Sequence, residues 1–275
     1  RIIDRDTFSF VVEAGRRNLG SVYESKVQYS SLMDGLLLQW NKSTEKIGDL
    51  FFNLGGFIVN DSENQFAYAA ELGMVRVLNT GFYSKLSFID WKKNISEYEI
   101  RNLRYNFRIG QALLGYQSYL QGINKYCKLY LAGLYNFVAK RLTISDNKKA
   151  AWGAYLGGSI GQVRKQGDWA FDMNIQAVAA QAIPDFDSGG IKRGNAAKVG
   201  FYTADIKDTV TPPVPTTQAT AVGNGNFKGI QGRVLYGMTN NLTMLNSVKM
   251  SNNLNFDIGP KLEFFEYKLE FVYAY

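Results

Sequence analysis

The chain has 275 residues, a formal net charge of +7, 46 % apolar residues, 17 Tyr, 18 Phe, 4 Trp, one cysteine and no histidine. The missing histidine removes Ser-His-Asp and Cys-His catalysis and every histidine-held metal site, and the single Cys127 excludes an internal disulfide framework. Apolar runs fall short of the roughly 18 residues a membrane helix needs, and no Lys/Arg run exceeds two residues, which speaks against a basic nucleic-acid tail.

The first residue is Arg1 and no leader segment opens the chain, so the sequence reads as a mature or truncated form, with strands missing from the front if truncated. Side chains alternate with a period of two, the mark of a half-buried strand, over 7–15, 35–42, 49–60, 65–78 and 81–91. In 103–114, Leu103, Tyr105, Phe107, Ile109 and Leu113 oppose Arg104, Asn106 and Arg108. In 125–138, Leu129, Leu131, Gly133, Tyr135 and Phe137 oppose Lys128, Tyr130 and Asn136, and Cys127 shares the parity of Leu129. Further strands are predicted over 151–161, 168–180, 228–238 and 242–251. The last, 265–275, sets Phe265, Tyr267, Leu269, Phe271, Tyr273 and Tyr275 against Glu266, Lys268 and Glu270.

That makes about 12 strands (range 10–16), most near the ~9–11 residues that cross an outer membrane with tilt. Connections such as Asn79-Thr80-Gly81 and Thr239-Asn240-Asn241 are turn-like, whereas 16–34, 92–102, 141–149 and 184–226 are long and polar. Short turns at one rim and long loops at the other fit an all-β, single-domain transmembrane antiparallel barrel over 1–275. A mean hydropathy of only −0.19 suits it, because alternation hides the apolar face. The stretch 184–226 has two readings: a segment folded into or over the lumen, or a loose surface loop.

Several motifs have plainer readings beside the functional ones. Asp185 to Gly190 begins like a calcium loop but lacks the required acidic residues at 189 and 196, so an Asx-turn is the simpler expectation. Gly153, Gly157, Gly158 and Gly161 have no phosphate-loop spacing and suit a curved strand. Arg16-Arg17, ahead of the aromatic and polar segment Val22–Tyr29, is either a rim anion site or a pair of solvated charges.

The terminal aromatic strand looks like the closing strand of a bacterial outer-membrane barrel. With it, Gly15-Arg16-Arg17, Asp34-Gly35, Trp152 to Gly161, Asp168 to Phe171 and Ile183 to Asp187 follow in an order that resembles a family of bacterial outer-membrane porins. The resemblance is spread over most of the chain. It implies an outer-membrane channel for small hydrophilic solutes, a C-terminal strand read by the barrel-insertion machinery, and no catalytic residue.

In a barrel the polar face of each strand lines the lumen. Parity nominates Lys85, Arg104, Arg108, Lys128, Arg233, Lys249 and Lys268 as basic wall residues, and Glu13, Glu71, Asp172, Glu266 and Glu270 as acidic ones. The basic excess, concentrated on Arg104 and Arg108 beside Lys85 and Lys128, predicts a mild anion preference. Tyr130 and Tyr155 are also expected in the lumen, and Cys127 outside it. The expected function is passive diffusion of small hydrophilic or anionic solutes. The alternative is a structural or adhesive barrel with a plugged lumen. No enzyme activity, cofactor, metal or nucleic acid is expected. Expected partners are outer-membrane lipids and the insertion machinery, with self-association left open.

Overall fold

The computed structural model describes residues 3–5, 7–60, 65–93, 107–139, 141, 148–184, 187–192, 225–256 and 261–274. The period-two segments form β2 (Phe8–Asn18), β3 (Leu32–Thr44), β4 (Gly48–Asn60), β5 (Gln65–Val75), β6 (Phe82–Lys93) and β7 (Phe107–Leu120). They continue as β8 (Lys125–Asn136), β9 (Trp152–Gly161), β10 (Trp169–Val178), β11 (Phe227–Gly237), β12 (Leu242–Asn253) and β13 (Glu263–Tyr273). A three-residue β1 (Ile3–Arg5) lies on the edge of β2 against residues 8–10.

All of them belong to one sheet whose strand order is the sequence order, β1 to β13. Every pairing is antiparallel, so the fold is a meander of twelve long strands with one short flap. Among the described residues, no ladder joins β13 to β2. The connections separate into two rims. Residues 45–47, 76–81, 121–124, 162–168 and 238–241 make short turns at one rim; the other is the rim of 19–31 and of the strand ends Asn60, Gln65, Lys93, Phe107, Asn136, Trp152, Val178, Phe227, Asn253 and Glu263. Predicted strand 65–78 ends early, at Val75, because Arg76, Leu78 and Asn79 take positive φ and turn the chain.

Alternation along β8 is clear: Leu129 and Leu131 are 55 % and 52 % exposed, while Tyr130 and Ala132 are 3 % and 2 % exposed. The same division runs round the sheet. Phe52, Leu72, Leu86, Leu114, Trp152 and Met173 stand out on one face with the β8 leucines. One level of that face crosses six strands by direct pairing: Leu131, Leu156, Ile175, Ile230, Met250 and Phe265. The opposite face is polar or buried. It is concave: side chains from β5, β6, β7, β8 and β10 all reach the one segment 19–31. The architecture is therefore all-β and barrel-like.

One predicted parity is overturned. On β7, Ile109 and Leu113 are 0 % and 1 % exposed and Leu114 is 62 % exposed, so Phe107, Ile109, Gln111 and Leu113 face inward. Arg108 faces outward near the rim and pairs with its cross-strand neighbour Asp90 at 3.3 Å. The physical cause is what β7 faces: its inner side packs against a dry segment of protein, so its inward residues are apolar. Arg104 and Tyr275 lie outside the described residues. On β13, Phe265, Tyr267, Leu269, Phe271 and Tyr273 face outward as predicted, each between 47 % and 62 % exposed.

Cys127 lies on the outward parity of β8 and pairs directly with Ser118 on β7 and Ile160 on β9. In an antiparallel sheet one of those two pairs is the close, non-hydrogen-bonded kind, within disulfide range. Mild oxidation should therefore cross-link Cys127 internally in at least one of Ser118→Cys and Ile160→Cys. Gln117→Cys, on the other face, should stay reduced. A shift of gel mobility that reverses with reductant reads the outcome.

Candidate functional site: a lumen filled by an inward-folded segment

The concave face is occupied by residues 19–31, the connection between β2 and β3. Asn18 ends β2 and its side chain accepts the amide of Gly20, starting a short 3-10 turn over Leu19–Ser21. Leu19, Tyr23, Val27 and Tyr29 are at most 2 % exposed. Tyr23 packs on Tyr29 at 5.3 Å between rings and edge-on against Phe57, and its hydroxyl donates to the Ala69 carbonyl. Tyr29 sits at φ 65°, a conformation costly for a bulky side chain, and is held there from both ends. Its hydroxyl donates to Ser87 and its amide to Asp187.

Glu24 is the electrostatic centre. Its carboxylate lies 2.9 Å from the Lys85 ammonium and 2.6 Å from that of Lys128. Its backbone amide donates to Glu71 and its carbonyl accepts from Gln111. Burial pushes the Glu24 carboxyl up, but Lys85 and Lys128 outweigh it and hold the group below the usual carboxylate range. Two residues on, the Lys26 ammonium lies 2.9 Å from Asp172 and 4.9 Å from the centre of the Tyr130 ring.

Asp172 in turn collects Arg233 at 3.5 Å, the Tyr130 hydroxyl and the Asn174 amide. Gln176 donates to Asn174, and the amide of Ile191 donates to Gln176. Asp172, Asn174 and Gln176 are the inward residues of β10, so alternation alone strings these hydrogen bonds along one strand. At their far end, residues 187–192 pack against the inward segment. The Gly189 amide donates to the Val27 carbonyl, and Asp187 accepts from the amides of Tyr29 and Ser31 and the hydroxyl of Ser31. The oxygens of Asp187 are thus spent on protein donors, as an anchor for the segment rather than part of a cation loop. Burial pushes its carboxyl up to about 6 against those donors.

The predicted wall residues divide into two sectors. Lys85, Lys128, Glu71 and Asp172 face the inward segment, as do Tyr130 and Tyr155. Arg233, Lys249, Glu266, Lys268 and Glu270 line the concave side of β11–β13, and Glu13 pairs with Arg17 on β2. This second sector is wetter: Arg233, Glu266, Lys268 and Glu270 keep 37–54 % of their side chains exposed. Lys249 and Glu266 are direct cross-strand partners at 2.8 Å, and Lys268 meets Glu270 at 2.6 Å. Arg108 is not in the lumen, and Glu24 stands between Lys85 and Lys128, so among the described residues the basic cluster expected there is absent. Arg16, on the outer rim, is paired bidentately with Asp34, so the Arg16-Arg17 pair is no open anion site.

Of the two sequence readings of 184–226, residues 187–192 follow the inward one. The larger lumen element, 19–31, is not one that sequence reasoning picks out. Its signal is nonetheless present as buried-type residues interleaved with charge, Val22 to Tyr29, in a stretch without strand period.

The two anchors respond to pH with opposite sign. Glu24, lowered in the fold, contributes stability above the ordinary carboxylate value that is lost as pH falls through its lowered pKa. Asp187, raised to about 6, contributes stability below its ordinary value that is lost as pH rises to about 6. The amides of Tyr29 and Ser31, corrected for intrinsic exchange, should lose hydrogen-exchange protection as pH rises from about 4 to about 6. Asp187→Asn should abolish that dependence. Separately, a Cβ on Gly55 would come within 2.6 Å of the Phe57 ring and 2.8 Å of the Tyr23 hydroxyl. Gly55→Val should therefore loosen Tyr23 at a cost of about 1–3 kcal/mol, measured by denaturant unfolding.

No protein-family model matches the chain, and no curated protein matches it, so the site is read from its own geometry.

Proposed function

We propose that the chain is an outer-membrane β-barrel through which small hydrophilic solutes diffuse passively, with a mild preference for anions, along a lumen narrowed by residues 19–31. One observation carries this reading: large apolar side chains cover the outward face of a twelve-strand meander while charges and amides face inward. A water-soluble sandwich or barrel does the reverse, burying its apolar face, and soluble monomers rarely expose apolar patches beyond a few hundred Å². Long strands of 10 to 14 residues suit a crossing that needs ~9–11. Among the described residues, no helix is long and apolar enough to cross a membrane.

The passage lies in the wetter sector of β10–β13 and β2. There the cation is the more exposed member of the Arg233–Asp172 pair, 40 % against 14 %, and of the Lys268–Glu270 pair, 54 % against 37 %; the acid is the more exposed member of Lys249–Glu266, 37 % against 24 %, and marginally of Arg17–Glu13, so the larger differences are those that favour the cations. Exposed charge on a narrow low-dielectric wall sets a selectivity barrier, which supports the anion preference. A second reading, a structural barrel with a shut lumen, is favoured by the two ion pairs of Glu24 and the close packing of Tyr23 and Tyr29.

Purified protein in a planar bilayer should give discrete conductance steps whose reversal potential in a salt gradient has the anion sign. The preference should weaken toward 1 M salt, where the Debye length is ~3 Å against ~10 Å at 0.1 M. Arg233→Ala/Lys268→Ala should move the potential toward zero, and a cation sign in the native protein would exclude the selectivity. Insertion without any conductance, regained on deleting residues 20–30, would favour the shut barrel. Leu269→Arg, at the middle of an outward-facing strand, should cost ~2–4 kcal/mol of stability in lipid if membrane surrounds it, and almost nothing if water does.

A further inference from the structure

The outward face is not uniformly convex. Across β8–β13 it holds a groove of about 800 Å³ whose lower wall is the level that runs from Leu131 to Phe265. Above that level the same face carries Ala154, Ala177, Lys228, Asn252 and Glu263, again direct cross-strand neighbours in order. Ala154 has too little bulk to fill its place between Leu156 below and Trp152 above on β9, and its cross-strand partner Ala177, next above Ile175 on β10, is as small. The groove is apolar along nearly all its length and turns polar only where it meets Lys228, Asn252 and Glu263, beside the rim of long connections. Its size falls in the range of specific small-molecule sites, ~300–1,000 Å³.

The polar end is asymmetric in charge. Among the described residues, Lys228 is exposed and has no ion-pair partner. Glu263 has one: the Lys261 ammonium at 3.9 Å. The free charge at the mouth of the groove is therefore a cation, at the level where the wall passes from apolar to polar.

We infer that this groove is a binding site for a phosphate-bearing lipid, with one acyl chain along Ala154 and Ala177 and the phosphate on Lys228. The inference rests on the membrane reading above and goes beyond it. A lipid against a convex wall touches protein on one side only, so its dispersion attraction to protein comes from that side alone. A chain lying in a groove is held on several sides, and a phosphate at its end makes a charge-assisted contact with the Lys228 ammonium. Chemistry and position agree, because a lipid is apolar along its chain and anionic where the chain ends at the interface. A second copy of this chain is the competing occupant, but the acid it could set against Lys228 is Glu263, which Lys261 already approaches at 3.9 Å.

The test is native mass spectrometry of the full chain released from nanodiscs that hold equal amounts of phosphatidylglycerol and monogalactosyldiacylglycerol, a phosphate-free lipid of similar chains. The wild type should retain phosphatidylglycerol over the galactolipid by roughly tenfold, the ratio one well-placed ionic contact supplies. Lys228→Ala should bring the ratio near one, Lys228→Arg should preserve it, and Ala154→Phe should lose both lipids by filling the groove. If Ala154→Phe fails to insert, the two Lys228 variants decide the matter. Equal retention by the wild type, a ratio unchanged in Lys228→Ala, or a dimer sealed over Ala154 would overturn the site while leaving the barrel standing. A chain that never enters nanodiscs would overturn the membrane reading and the site together.

Discussion

The ion pairs of Glu24 are the interaction on which the inner wall depends. Lys85 on β6 and Lys128 on β8 point toward the same volume, and their ammonium groups converge on one carboxylate. Without it, two cations would face each other in an enclosed space, where repulsion is far stronger than in water and desolvation is not repaid. The carboxylate comes from a connection far away in sequence, between β2 and β3. Wall and inward segment are therefore parts of one ionic assembly, and neither has a sensible charge distribution alone. This is also why a count of wall charges by parity misjudges the local potential: the countercharge is not on the wall.

The same logic extends along the lumen. Lys26 neutralises Asp172, which Arg233 also approaches, and the amides of Asn174 and Gln176 pass the hydrogen bonds on to Ile191. Asp187 then closes the assembly by taking up the amides of Tyr29 and Ser31, which would otherwise be buried without acceptors. Two connections from the same rim are thereby tied to each other and to the sheet. The curvature of the sheet and the filling of its interior support one another: a flat sheet could not bring β5 and β10 within reach of thirteen residues of chain.

Opposite this assembly, the polar wall of β11–β13 is satisfied within the sheet. Lys249 and Glu266 pair across neighbouring strands, and Lys268 and Glu270 pair along one strand. These contacts need nothing from a loop, so this sector keeps its exposure to water while the rest of the lumen is filled. The proposed passage, beside a fixed inward segment rather than through the middle of a cylinder, rests on that difference.

Strand number, strand order and the outward face of β8, β10 and β13 were legible in the sequence, because a period of two is a local property and antiparallel neighbours in a meander are joined by their own turns. Glu266, Lys268 and Glu270 could be placed on the concave side for the same reason. β7 could not, since Phe107, Ile109 and Leu113 read as an outward apolar face and are an inward one. They belong to one buried cluster with Tyr23 and Tyr29, which stand about 80–90 residues earlier in the chain. Alternation tells that two faces differ; it does not tell which one meets protein, lipid or water when both are dry. Only the tertiary structure decided that 19–31 lies inside, that Arg108 is outside, and that the paired ions Glu24, Lys85, Lys128 and Asp172 share one part-buried assembly. Hydrogen bonds and ion pairs between groups up to 158 residues apart leave no period in the sequence from which they can be read.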